Sequence, residues 1–183
     1  MSYTEIYKFK KDGDAEEIGE VKNAFRGAMA IWTHLEKKYL PKFIPEWAKS
    51  IGEDLTKDYS RISSMKQEDM KEVWDIIKHP YITDTHKIAM NSTFDNVVVK
   101  RENLEKLVLA FREFEFETSL KEQADLIEEA LKDDPDLLGL GWNQTSVNGD
   151  TWANSGEYNE ETEEHASYNL LKEKKHWFMF DDM

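Results

Sequence analysis

Tyr3-Thr4-Glu5-Ile6-Tyr7-Lys8-Phe9-Lys10, then Lys11-Asp12-Gly13-Asp14, then Glu16-Glu17-Ile18-Gly19-Glu20-Val21 spells a strand, a turn and a returning strand. Side chains alternate across a strand, so Tyr3, Tyr7 and Phe9 share one face and Ile6 takes the other. Asp-Gly supplies the backbone conformation that a tight hairpin turn requires. The chain therefore opens with a β-hairpin over residues 1–22. A two-stranded hairpin alone is marginal in water, so it must pack on a body or project to meet a partner.

Beyond the hairpin, Asn23 reads as the N-cap of a helix from Ala24 to about Tyr39. Ala24, Ala28, Ile31 and Leu35 form its apolar stripe, which Phe25, Met29 and Trp32 widen. Pro41 stops this helix and Pro45 begins a short segment through Trp47, while residues 50–62 fit no single pattern. Ser64-Met65-Lys66-Gln67 has capping-box spacing and opens a helix with Met70, Val73, Trp74 and Ile77 on one face. A shorter helix is expected around 84–91 and a buried strand at Val97-Val98-Val99. Leu104, Leu107, Val108, Phe111 and Phe114 trace a further helix, and Leu120, Ala124, Ile127 and Leu131 another. Leu137 to Trp142 and His176 to Phe180 read as strands. The pattern predicts an α+β fold in one domain, 1–183: an N-terminal β-hairpin free to project, a helical middle and a small C-terminal antiparallel sheet.

Composition supports a packed core. Six Trp, seven Tyr, nine Phe and seven Met supply large apolar side chains, and 34% charged residues solvate the surface. A chain of 183 residues buries roughly 70% of the surface that its unfolded form exposes. There is no cysteine, which excludes disulfides, thiolate metal sites and cysteine nucleophiles. The first residues contain no apolar signal region, and no apolar run approaches the ~20 residues of a membrane span. The expectation is a soluble cytoplasmic protein with no cofactor.

Charge is distributed unevenly. The net charge is −14, and residues 113–183 carry all of it, with 19 acidic side chains against five basic ones. Residues 22–49 are instead locally basic, with Lys22, Arg26, Lys37, Lys38, Lys42 and Lys49 against Glu36 and Glu46. Such asymmetry bears on partners rather than on fold. Glu157, Glu160, Glu161, Glu163 and Glu164 form a candidate contact surface for a basic partner. Lys8, Lys10 and Lys11, interleaved with Tyr7 and Phe9, are candidate contacts to a nucleic-acid backbone, with an aromatic ring stacking on a base. An ordinary amphipathic hairpin with rim lysines accounts for the same residues.

Catalytic signatures are absent from the sequence. No G-x-S-x-G, Walker loop or G-x-G-x-x-G occurs, and Leu138-Gly139-Leu140-Gly141 lacks a third glycine and a following helix. Asp12-Gly13-Asp14 resembles the start of a calcium loop, but Glu16 and Glu17 break the ligand pattern and a hairpin turn explains it better. His79, Asp84 and His86 lack helical metal spacing, and Pro80 interrupts them. Gly141 to Asn154 packs amides and hydroxyls between Trp142 and Trp152. That is the composition of a loop recognising a sugar or base, but turn chemistry already accounts for it as a hairpin satisfying its own backbone while both Trp pack inward. The acidic run Glu157, Glu160, Glu161, Glu163 and Glu164 adjoins His165, and a metal-dependent hydrolase or nuclease using Asp150, Glu157 and His165 is a competing reading of that cluster.

Several stretches together carry a resemblance: Glu20-Val21-Lys22-Asn23-Ala24-Phe25-Arg26-Gly27-Ala28-Met29, then Trp32 and Leu35-Glu36-Lys37-Lys38-Tyr39-Leu40-Pro41, the segment Gly141 to Trp152, and Lys175-His176-Trp177-Phe178. With these the chain resembles a type II-A anti-CRISPR protein, an inhibitor of the RNA-guided Cas nuclease carried on mobile elements of Gram-positive bacteria. The resemblance implies binding to the nuclease, to its guide RNA, or to both, in the cytoplasm of a bacterial host. On that reading the five glutamates face the cationic channel of the nuclease. Lys8, Lys10, Lys11, Lys22, Arg26, Lys37 and Lys38 would face the guide RNA. An acidic immunity-type module for another basic protein has the same charge pattern.

Overall fold

β1 (Tyr3–Phe9) is hydrogen-bonded along both of its edges. β2 (Ala15–Lys22) returns antiparallel on one side, through a turn in which Gly13 takes φ +92°. On the other side lies β4 (Gly139–Gln144), antiparallel from Thr4 opposite Gln144 to Phe9 opposite Gly139. β3 (Val97–Lys100) joins β4 antiparallel, and β7 (Trp177–Phe178) runs parallel to β3. The five-stranded sheet has the order β2-β1-β4-β3-β7. A separate two-stranded ribbon pairs β5 (Tyr158–Asn159) with β6 (Glu164–His165). This computed structural model describes residues 3–23, 26–35, 38–39, 80–144, 152, 156–181 and 183.

The α+β class, the leading hairpin, the helical middle and a small C-terminal antiparallel sheet all match the sequence pattern. The projecting hairpin is corrected. With β2 and β4 both paired to it, β1 lies inside the sheet and cannot stand away from the body.

Helices cover one face of the sheet: residues 28–35, α1 (Asp84–Asn91), α2 (Leu104–Glu113) and α3 (Leu120–Asp133). Leu104, Leu107 and Phe111 of α2 and Ala124 and Ile127 of α3 bury their apolar stripes against Ile6, Val97, Val99, Leu140 and Trp142. The buried Trp142 indole donates to Gln123 Oε1 of α3 at 2.9 Å, satisfying the one polar atom of that large side chain. α1 begins at the N-cap Thr83, whose hydroxyl accepts the His86 amide. The helix expected from Ala24 is observed as helical from residue 28. Asn23 does not cap it, because its side-chain oxygen accepts the Thr4 hydroxyl instead, and Gly27 provides the first helical carbonyl, to Ile31. The helix read at 64–77 and the segments around Pro41, Pro45 and 50–62 lie outside the described residues.

The opposite face of the sheet is also apolar. Tyr7, Phe9 and Val98 are buried there under Trp152 and Tyr168. Phe9 meets the Trp152 ring edge-on at 5.4 Å between centroids, and Trp152 meets Tyr168 at 4.7 Å. Burial on both faces explains why Val97-Val98-Val99 is a continuous apolar run and not an alternating one. Among the described residues, no helix is long and apolar enough to cross a membrane.

The glycines of β4 mark close approach within the sheet, not a phosphate loop. A Cβ at position 139 would lie 2.4 Å from the Val99 carbonyl oxygen, and backbone cannot yield there as a flexible side chain would. Gly139→Ala is therefore expected to destabilise the fold by about 1–3 kcal/mol. Urea unfolding should show a lower midpoint at unchanged slope; an unaltered midpoint would contradict this packing.

Candidate functional site

Residues 157–167 form an unbroken exposed run. Chain pairing within it is short but defined: Tyr158 opposes His165, Asn159 opposes Glu164, and the Ala166 amide donates to the Glu157 carbonyl. Asn159 closes the turn, its side-chain oxygen accepting the amides of Glu161 and Thr162, and Glu163 takes φ 56°. The ribbon is tied down at its base. Gly156 donates to the Ala166 carbonyl at 3.0 Å, and Tyr168 donates to the Trp152 carbonyl at 2.7 Å. Tyr168 and Trp152 are the buried plugs of the second apolar face, so the packing that completes the sheet also anchors the ribbon.

Glu157, Glu160, Glu161, Glu163 and Glu164 all fall on this ribbon or at its root. Among the described residues, none of the five forms a salt bridge. Tyr158, half exposed, stacks at a tilt on His165 at 4.9 Å, giving the ribbon an aromatic patch among its carboxylates.

The lysines are arranged differently. Lys8 and Lys10 both bond Glu16, at 3.0 and 3.8 Å. Lys11 reaches Asp136 at 3.0 Å, Arg26 reaches Glu122 at 2.7 Å, and Lys38 reaches Glu115 at 2.5 Å. Lys22 is exposed at the end of β2, and Lys37 lies outside the described residues. Tyr7 and Phe9, which alternate with the hairpin lysines in sequence, are buried against Trp152 and Tyr168. They are not available to stack on a base. The structure thus gathers the five glutamates on one ribbon and pairs Lys8, Lys10, Lys11, Arg26 and Lys38 with carboxylates elsewhere.

The other groupings resolve into packing. His86 is buried, with Nδ1 bonded to the Tyr39 hydroxyl at 2.5 Å and Nε2 to Glu115 Oε2 at 2.8 Å, and Lys38 completes the chain on the other Glu115 oxygen. That ring is committed, His79 lies outside the described residues, and among the described residues no group of three or more His, Asp or Glu could hold a metal ion. His165 Nδ1 lies 3.1 Å from the Gly156 carbonyl, and no hydrogen bond joins the ring to Glu157; Asp150 lies outside the described residues. Trp142 and Trp152 are both buried, on opposite faces of the sheet, as the inward-packing reading of that segment requires.

Sequence reasoning missed the second apolar face and its hydrogen-bonded anchor. Tyr168 Oη accepts the Lys175 amide at 3.0 Å and bonds His176 Nδ1 at 2.7 Å. Burial pushes the His176 pKa down. It also missed Asn143, which is buried on β4 with neither side-chain amide atom hydrogen-bonded among the described residues. A signal was available in the alternation of Gly139, Gly141 and Asn143, which places these small or polar residues where Trp152 covers the strand.

Two acid-linked losses of stability are expected. Burial alone would raise the Glu115 carboxyl, but hydrogen bonds from Lys38 and His86 outweigh it and hold its pKa at about 2. Its contribution is therefore complete above the ordinary value of 4.5 and is lost as pH falls from there towards 2. His176 has a lowered pKa, so the unfolded chain protonates first and stability begins to fall once pH drops below 6.5. Urea titrations across pH should show Glu115→Gln flattening the lower window and His176→Gln the upper one; identical profiles in all three proteins would contradict these assignments. Asn143→Leu should raise stability by about 1–3 kcal/mol in the same assay, since it removes a buried amide that has no partner among the described residues. Loss of stability there would mean that the amide is satisfied in solution. No family model, curated protein or solved structure matches this chain.

Proposed function

We propose that this protein acts by binding, as an inhibitor that presents its acidic ribbon to the cationic nucleic-acid channel of an RNA-guided Cas nuclease in a bacterial cytoplasm. One observation carries the reading: five carboxylates lie on a single exposed, tied-down ribbon without salt bridges among the described residues. A cluster of uncompensated negative charge raises the on-rate for a basic groove and disfavours acidic partners. The channel of such a nuclease is built to hold polyanions, so a fixed row of carboxylates competes for the same surface. The pairing of Lys8, Lys10, Lys11, Arg26 and Lys38 with carboxylates argues for contact with the protein and against contact with the guide RNA.

The test is retention of the chain on an immobilised nuclease–guide complex, followed by a target-cleavage assay. Retention is expected at moderate salt, weakening as ionic strength rises. Replacing Glu157, Glu160, Glu161, Glu163 and Glu164 together by Gln should weaken it at least tenfold and restore cleavage. No retention of the unmodified chain, or equal inhibition by the five-Gln variant, would overturn the reading.

A further inference from the structure

β2 is an outer strand of the five-stranded sheet, and the chain itself already uses the start of its free edge. The Ala15 amide donates to the Tyr168 carbonyl at 2.9 Å, and the Leu170 amide donates to the Gly13 carbonyl at 2.8 Å. Between these bonds Asp14 and Asn169 form an antiparallel bridge. Residues 168–170 thus begin a further strand on β2, and at Ser167 the chain leaves it for the acidic ribbon. Among the described residues, no strand pairs with this edge from Glu16 to Lys22. Its outward N–H and C=O groups form a template for another extended chain.

The side chains along this edge break a local rule. In a regular strand Glu17 and Glu20 would face opposite ways. The pairing slips between Ile6 and Tyr7, so that Tyr7 opposes Glu17, Glu5 opposes Glu20, and Ile18 has no opposite number. Glu5 and Tyr7 share a face of β1. Glu5, Glu17 and Glu20 therefore all lie on the side of the sheet that Trp152 and Tyr168 cover. Carboxylates directly opposite across a strand pair destabilise it, and a neutral residue at either position would remove that cost. Glu17 and Glu20 are exposed, and none of the three forms a salt bridge among the described residues. Burial, and then repulsion from Glu5 and Glu20, push the Glu17 carboxyl up. A metal ion does not answer the trio, because among the described residues no group of three or more His, Asp or Glu could hold one.

An open edge calls for a strand, and like charges held on one face call for cations at alternate positions of that strand. A second copy of this chain does not fit, since pairing two β2 edges sets these carboxylates against their own kind. We propose that the outer edge of β2, from Glu16 to Lys22, is a strand-addition site for an extended segment of a partner protein whose lysine or arginine side chains alternate along it and face Glu5, Glu17 and Glu20. That segment continues, from Glu16 onward, the pairing that residues 168–170 begin. The proposal goes beyond the ribbon reading: backbone hydrogen bonds supply the affinity here, and the site does not require the partner to be the nuclease.

The test is an NMR titration of the labelled full chain with a capped peptide, as long as β2, that alternates lysine with threonine. Saturable shifts at the amides of Glu16 to Lys22 are expected, with binding about tenfold weaker for the double variant Glu17→Gln, Glu20→Gln. Both substitutions relieve repulsion at exposed positions, so the variant keeps the fold. The same peptide methylated on its backbone nitrogens keeps its charge but loses its donors, and should not bind. Equal binding of the methylated peptide, equal binding by the double variant, or shifts confined to residues 157–167 would show attraction to charge alone and overturn strand addition. Absence of saturable shifts in the unmodified chain would overturn it as well. Self-association of the double variant in that case would identify the carboxylates as a guard against edge-to-edge pairing of this chain.

Discussion

A β-sheet with apolar side chains on both faces must be covered twice, and that requirement shapes the whole molecule. Ile6, Val97, Val99, Leu140 and Trp142 face the helices, while Tyr7, Phe9 and Val98 face away from them. Burying a large apolar side chain is worth about 1.5–3 kcal/mol, so leaving the second face open would forfeit several such contributions. The cover comes from Trp152 and Tyr168, seated against Phe9. Because the chain enters this cover at Trp152 and returns at Tyr168, the residues between must leave the surface and come back. The acidic ribbon is that excursion. Its position follows from the same contacts that close the core.

Electrostatics then separates surface that is already compensated from surface that is not. Isolated exposed ion pairs add about 0–1 kcal/mol each to stability, so the Lys8–Glu16, Lys11–Asp136 and Arg26–Glu122 bridges are not what holds the fold. Their consequence lies elsewhere. Each places a carboxylate beside a cation that would otherwise attract nucleic acid. Among the described residues the ribbon's glutamates form no such pair, and their charges act together on whatever approaches. Glu17 on β2 shows what crowding of like charge does in this molecule: burial first, and then repulsion from Glu5 and Glu20, push its carboxyl above the ordinary range.

The local grammar of the chain carried most of the fold. The Asp-Gly turn, the alternation of Tyr7 and Phe9 against Ile6, and the apolar stripes of α2 and α3 were each readable within one window of sequence. Contacts between distant windows were not. Lys38 meets Glu115 across 77 positions and Lys11 meets Asp136 across 125, so neither pairing leaves a trace in local composition. The hairpin carried the signs of a strand pair but none of β4, whose pairing to β1 decides that it lies in the sheet. Asn23 had the right chemistry for a helix cap, and Thr4 claimed its side chain first. The five glutamates were legible as a charged run. Their display on a fixed ribbon depended on Trp152, Tyr168 and Asn169, which sit in polar stretches that look like ordinary loop.

The central claim is that the ribbon held by the Phe9–Trp152–Tyr168 contact is the surface that meets the partner. Hydrogen–deuterium exchange of the full chain, alone and mixed with the nuclease–guide complex, tests it most directly. Slowed exchange concentrated in peptides covering residues 156–173, with β1 and α3 unchanged, is the result that this account requires. Protection that spares those peptides and appears at β1, at residues 26–35 or nowhere would contradict it.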